Sequence, residues 1–362
     1  MNYIQHNPLP IPDVGPSERL PVSMDTIFDW EYALRRHNLL ALYEKGKASS
    51  WNAIDLAWET EVDFAKKTRD MLGAGAGEIF NQLLNPPHKL EPEVSVELNL
   101  NITAWMLSQF LHGEQGALLA TAKIVQGVPW EEAKWYAANQ VADEARHVEV
   151  YHRYLTEKLG RSFGVNRHLR TLLDQIICDS RWDMTYLGMQ IIVEGLALAA
   201  FSLIKLQWPD EPLIQDITAR IMGDEARHVA FGVLSLEHLY TKELSGAELK
   251  EREDFVIEAT HLMRERLLME DVYERTGLDV KVWLPWSIQT PYMRGFRQML
   301  FSKIVPNLKR LGLLTPRVRA AYQKLDLLRF EHLKDSSEEP EVMAPAELIE
   351  VLSQIRQGTS AS

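Results

Sequence analysis

From residue 26 onward, apolar residues recur at steps of three, four and seven, and the strict alternation of a half-buried strand is missing. Turn signals arrive at helix-length intervals, so the pattern predicts helices over about 27–46, 53–72, 94–126, 130–159, 165–178, 180–207, 211–243, 246–275 and 290–311. Breaks are expected at Asn85-Pro86-Pro87, Gly127-Val128-Pro129, Trp208-Pro209-Asp210 and Leu284-Pro285, with Asp210 and Ser245 as caps. Residues 1–25 hold five of the 17 prolines and no periodicity, which reads as an extended arm. Residues 26–333 then form one all-α domain, a helical bundle enlarged by flanking helices. Residues 334–362 form an acidic linker and a short amphipathic helix near 346–356.

One feature of the pattern is duplicated. The hexapeptide Asp-Glu-Ala-Arg-His-Val stands at 143–148 and again at 224–229, offset by 81 residues. A lone acid inside an apolar helix precedes each copy, Glu114 and Glu194, offset by 80. Their flanks agree as well: Ala117, Leu118, Ala120 and Ile124 match Ala197, Leu198, Ala200 and Ile204. The chain contains one helical hairpin twice.

Helical geometry aims the repeated polar residues inward. Leu100, Ala104, Leu107, Leu111, Glu114, Leu118 and Val125 share one stripe, and Ala137, Val141, Glu144, Val148, Tyr151 and Leu155 share another. His147 lies one turn beyond Glu144, within reach of a common point. The second hairpin repeats this with Leu187, Ile191, Glu194, Leu198 and Phe201, then Ile214, Ile217, Ile221, Glu225 and His228. Four carboxylates and two imidazoles so enclosed each cost several kcal/mol unless neutralised. Lys and Arg on these seams are too few, whereas two metal cations suffice. Oxygen-rich ligation with one imidazole per metal suits iron or manganese. One Glu from each of two helices and Glu-x-x-His from each of two others is the ligand pattern of ferritin-like di-metal bundles.

The neighbours of these residues also carry information. Asp143 and Asp224 cannot face the metals together with the adjacent glutamates. They are placed to accept the free ring N–H of the opposite motif's histidine, Asp143 from His228 and Asp224 from His147. Arg146 and Arg227 are placed to neutralise those aspartates.

Composition narrows the partners. Lys and Arg number 39 against 51 Asp and Glu, a net charge of −12 with no long basic run, which opposes nucleic-acid binding. The single Cys178 excludes thiolate metal sites and internal disulfides. The start has neither a basic nor an apolar signal region, so the expected location is the cytoplasm. Glu194 at the centre of the most apolar window, 187–206, argues for a buried helix and against a membrane span.

On these residues the sequence resembles the ferritin-like carboxylate-bridged di-iron superfamily. Its large oxygen-activating members include ribonucleotide reductase small subunits, ligand-binding oxidases related to them, and hydroxylases of multicomponent monooxygenases. The resemblance is strongest over about 94–240. The upstream run LYEKGKASSWNAIDLAWETEVDF is similar to the helix-turn before the core in ribonucleotide reductase small subunits. It implies that Glu114, Glu144, His147, Glu194, Glu225 and His228 are ligands to two irons, or to manganese and iron, at a centre that reduces dioxygen. It also implies oxidation of a small organic substrate by hydroxylation, N-oxygenation, desaturation or oxidative cleavage. A separate reductase or ferredoxin, or the substrate itself, supplies electrons, and the chain is expected to pair as a homodimer.

No branch is matched completely. Tyr151 stands where ribonucleotide reductase small subunits carry a radical tyrosine, so a radical-generating subunit is the alternative. Leu198 replaces the hydroxylases' threonine, Ile221 replaces the extra histidine of arylamine oxygenases, and Ala117 replaces the valine of the crosslinked oxidases. Iron storage or detoxification without catalysis is the third reading, and the added helices argue against it.

Overall fold

The computed structural model describes residues 17–71 and 85–338, which are helical and contain no strand. The expected helix near 346–356, much of the acidic linker and residues 1–16 of the arm lie outside the described residues. Four helical rods form the bundle: α3 (Pro92–Gly127), α4 (Glu131–Tyr154), a composite rod, and α8 (Pro212–His238). The composite rod is α6 (Trp182–Tyr186), a π-helical stretch Leu187–Val193, and α7 (Glu194–Gln207). Around them lie α1 (His37–Ala48), α2 (Phe64–Met71), α5 (Arg167–Cys178), α9 (Gly246–Glu265) and α10 (Glu270–Thr276). Four shorter helices follow: α11 (Val280–Gln289), α12 (Pro291–Met299), α13 (Ile304–Arg310) and α14 (Pro316–Lys324).

Bundle order follows from the sequence. α3 and α4 pack as an antiparallel hairpin, and α7 and α8 pack as a second. α4 and α8 meet across the bundle, and α1 lies over both. The apolar stretch Trp182–Ser202 is 94% buried by its neighbours, so its hydrophobicity is spent on packing inside the protein.

Several expected boundaries move. The helix expected over 27–46 begins only at His37, because its upstream segment has partners elsewhere. Ile27 N–H bonds the Gln126 carbonyl at 2.9 Å, and Arg36 N–H bonds Glu132 Oε1 at 2.7 Å. The helix expected over 53–72 splits into a 3₁₀ turn, Ala53–Asp55, and α2. Between them, Lys158 donates to the carbonyls of Trp58 and Thr60, and the Trp58 indole N–H bonds the Ala53 carbonyl at 2.7 Å. The segment 246–275 breaks after α9 and restarts at Glu270, while 290–311 divides into α12 and α13. Pro306 explains the second division, since its ring cannot follow a continuous helical turn through residues 300–303. Conversely, Leu284-Pro285 ends nothing: α11 runs through Pro285 and loses only one backbone hydrogen bond there. α11 and α14 had no expected counterpart.

Close approach of α5 to the composite rod depends on Gly188. A β-carbon there would lie 2.4 Å from Ile176 Cγ1 and 3.1 Å from Phe255 Cζ. Gly223, on the exposed face of α8, has open space around it. Gly188→Ala is therefore expected to lower stability by about 1–3 kcal/mol through overpacking. Gly223→Ala is expected to raise it by about 0.5–1 kcal/mol through helix propensity. Denaturant unfolding of the two variants should give these opposite signs.

Candidate metal centre

The bundle brings all six expected residues to one buried point. Glu114 comes from α3, Glu144 and His147 from α4, Glu194 from the start of α7, and Glu225 and His228 from α8. Donor atoms of Glu114, Glu144, His147 and Glu225 all lie within 4.8 Å of one another, as do those of Glu144, Glu194 and His228. Glu194 stands directly after the π-helical stretch, whose extra residue per turn resets which face the rod presents.

Each histidine is oriented by the other hairpin. His147 Nε2 is 3.1 Å from Asp224 Oδ2, and His228 Nε2 is 3.2 Å from Asp143 Oδ2. With Nε2–H donated outward, the lone pair of each Nδ1 faces the centre. Arg146 pairs with Asp143 and Arg227 with Asp224, one helical turn along in each case.

His147 Nδ1 sits 3.3 Å from Glu114 Oε2, 3.3 Å from Glu144 Oε2 and 3.2 Å from Glu225 Oε1. A ring nitrogen has at most one proton to give to those three oxygens. Glu144 turns its other oxygen to His228 Nδ1 at 3.1 Å, and Glu225 Oε1 is 3.5 Å from the same nitrogen. Glu144 and Glu225 thus stand between the histidines, with Glu114 beside one and Glu194 beside the other. Glu144 Oε2, Glu194 Oε2, both Glu225 oxygens and His228 Nδ1 are buried without a hydrogen-bond partner. Convergent, unpartnered oxygen and nitrogen donors of this kind fit two cations, and hard-to-borderline metals such as iron or manganese match the donor set.

Without metal the cluster holds protons. Burial, reinforced by Glu225, pushes the Glu114 carboxyl up to about 8. Burial likewise lifts Glu194, with Glu225 and Glu144 adding to it. Burial opposes ionisation of Glu144 too, but the two imidazoles outweigh it and hold its carboxyl below the usual range. Both histidines are desolvated, yet the surrounding carboxylates raise them well above ordinary imidazole values.

Three further residues complete the site, none of them singled out from sequence. Gln140 donates from Nε2 to Glu144 Oε1 and Glu194 Oε1, both at 3.0 Å, tying together carboxylates of different hairpins. Its signal was its place one turn before Glu144 on the same face. Trp51 donates its indole N–H to Asp224 Oδ2 at 2.7 Å, beneath the guanidinium groups of Arg146 and Arg220. Trp51 falls within the upstream run that carried the resemblance, although nothing in its spacing marked it. Tyr136 packs with its ring centroid 6.5 Å from that of His228, and its buried hydroxyl has no partner. Tyr151 is buried as well, its hydroxyl equally unpartnered, in an aromatic group with Phe110 and Phe201 at 5.9 and 6.3 Å. Leu198 and Ile221 are buried apolar side chains, so neither contributes a polar group to the centre.

No family model matches the chain, and no curated protein matches it. Among solved structures it is similar to a mutant R2-like ligand-binding oxidase with anaerobically reconstituted Mn/Fe cofactor, at 17% identity and a TM-score of 0.45. That match covers 80% of this chain and 93% of the other. It is also similar to the R2-like ligand-binding oxidase with aerobically reconstituted Mn/Fe cofactor, at 16% identity and a TM-score of 0.42, covering 85% and 95%. At such distances the chemistry of this chain is decided by its own side chains.

Metal uptake must displace the protons held by Glu114 and the imidazoles, so affinity should rise with pH up to and beyond about 8. Each proton displaced is worth roughly a tenfold gain per pH unit. Manganese(II) titrations between pH 6 and 8.5 followed by calorimetry, with proton release read from buffers of different ionisation enthalpy, measure this. A pH-independent affinity would contradict the arrangement.

Proposed function

We propose that this protein is a dinuclear metal oxidase that uses dioxygen to oxidise a small organic substrate. The observation that carries the reading is the set of carboxylate oxygens gathered around each inward-facing Nδ1, with Glu144 turned to both histidines. An iron pair, or manganese with iron, would supply the redox chemistry when bound by Glu114, Glu144, His147, Glu194, Glu225 and His228.

The chain's own groups prepare that chemistry. Asp143 and Asp224 fix the tautomer of each histidine, and each aspartate is paired with an arginine one helical turn along. Gln140 holds Glu144 and Glu194 in register, so a carboxylate that moves during turnover retains a donor. Phe110, Tyr151 and Phe201 exclude water on the Glu114 side. Reducing equivalents come from a separate protein or from the substrate. The hydrogen bonds from half-buried Trp51 through Asp224 to His147 connect the centre towards the surface for that purpose.

A second reading, a radical-generating subunit, is favoured by Tyr151. Its hydroxyl is buried without a partner, and the charges of Glu114, His147 and Glu225 act on it. A redox-active tyrosine requires this proximity.

Anaerobic loading with ferrous ion should bind two metals per chain by elemental analysis, and Glu144→Ala or His228→Ala should reduce that number. Unchanged stoichiometry in both variants would remove the basis of the proposal. After exposure to oxygen, electron paramagnetic resonance separates the readings. A stable tyrosyl signal that disappears in Tyr151→Phe selects the radical subunit, and substrate turnover retained in Tyr151→Phe selects the oxidase.

A further inference from the structure

A chain of aromatic rings leaves the centre on the His228 side. Tyr136 of α4 has its ring centroid 6.5 Å from that of His228, and Phe231 of α8 lies 4.4 Å from Tyr136. Tyr186 of α6 follows at 5.0 Å from Phe231, and Trp182 at 5.7 Å from Tyr186. The first three rings are fully buried. Trp182 is half-buried and lines a cleft of about 560 Å³ together with Asp25, Arg181 and Glu248. The next residue, Asp183, accepts from Arg252 Nε and Nη2 at 3.0 and 3.1 Å, which ties this end of α6 to α9.

Packing alone does not account for these rings. In the twin hairpin the positions equivalent to Tyr136, Phe231, Tyr186 and Trp182 hold Ile217, Val150, Met106 and Ile102, aliphatic throughout. The hydroxyls of Tyr136 and Tyr186 are buried without a hydrogen-bond partner, a cost that phenylalanine would avoid in the same space. What phenol and indole add to an aliphatic side chain is an electron-rich π system that couples neighbouring groups and is readily oxidised. Burial pushes both phenols up, so they stay neutral, and with no acceptor for their protons neither is a resting place for a radical. Trp182, at the cleft, has water to take its proton. Trp130 lies 5.6 Å further on, but the Arg36 guanidinium stands 4.2 Å from its ring centroid, and that charge opposes removal of an electron from it.

We infer that Tyr136, Phe231, Tyr186 and Trp182 form an escape route by which oxidising equivalents leave the centre when no organic substrate is bound. This rests on the oxidase reading and adds a protective reaction to it. One electron passes from the Trp182 indole through the intervening rings to the oxidised metal pair. Trp182 is oxidised by one electron, the pair is reduced by one, and no bond changes in Tyr136, Phe231 or Tyr186. The indole radical cation then gives its N–H proton to water in the cleft. A small external reductant of the ascorbate class returns the electron, and water returns the proton. The route is separate from the hydrogen bonds through Trp51, which start from His147.

The test exposes iron-loaded protein to oxygen without organic substrate, freeze-quenches it, and measures radical yield per bound metal pair by electron paramagnetic resonance. Indole-deuterated tryptophan identifies an indolyl signal, and peptide mass spectrometry locates oxygenated residues. In the wild type an indolyl signal should form and oxygenation should concentrate at Trp182, ahead of Trp30, which is 74% exposed. Ascorbate should suppress both. Trp182→Phe should remove the signal. Phe231→Leu, a substitution between apolar side chains of similar size, should bind two metals and lower the yield several-fold. An indolyl signal that survives in Trp182→Phe, or an unchanged yield in Phe231→Leu, overturns the inference. So does oxygenation of Trp182 no greater than that of Trp30, which would mark a diffusible oxidant. A wild type that binds two metals and consumes oxygen without oxidising Trp182 sinks the escape route alone, whereas one that binds no metal sinks the oxidase reading with it.

Discussion

Negative charge confined in an apolar interior governs this structure. Four glutamates share a point from which water is excluded, and the nearest basic groups are two imidazoles that cannot neutralise all of them. The surrounding structure is arranged to make that concentration tolerable. The aspartates raise the basicity of the imidazoles, the arginines beside them compensate the aspartates, and Gln140 bridges two of the acids. What remains unsatisfied is a set of donors aimed inward, and that residue of unmet bonding is what two cations would complete.

The repeat imposes an approximate two-fold plan, and departures from it are informative. Trp51 attends Asp224, whereas Asn139 attends Asp143 at 3.1 Å. Gln140 has Ile221 as its counterpart, so only one half carries an amide into the centre. Tyr151 has Gly232 as its counterpart, and a β-carbon at Gly232 would lie 2.7 Å from Gln190 Cβ. No side chain can be accommodated there. The two halves consequently differ in polarity and in aromatic surroundings, with Tyr151 packed among Phe110 and Phe201 and Tyr136, beside His228, packed on Phe231.

The sequence made the bundle and the six converging residues legible because each depends on periodicity within a single helix. Duplication supplied what one Glu-x-x-His alone does not, a second independent sample of the same spacing. The crossed Asp–His pairs were also within reach, since an aspartate beside an inward-facing glutamate has only the other hairpin to address. Boundaries at residues 27–36 and 56–63 were not legible, because the partners that hold them extended, Gln126, Glu132 and Lys158, are distant in sequence. Trp51 and Tyr136 escaped notice for the same reason. Nothing periodic distinguishes a tryptophan that meets an aspartate 173 positions away from one that fills a core.

The crossed orientation of the histidines has a consequence for assembly. His147 is steered by Asp224 and His228 by Asp143, so neither half of the duplication contains the means to aim its own imidazole. An ancestral single hairpin would have needed a twin to reach this geometry. In the present chain the centre is therefore a property of the docked pair, and either hairpin alone would offer stray metal only part of the donor set.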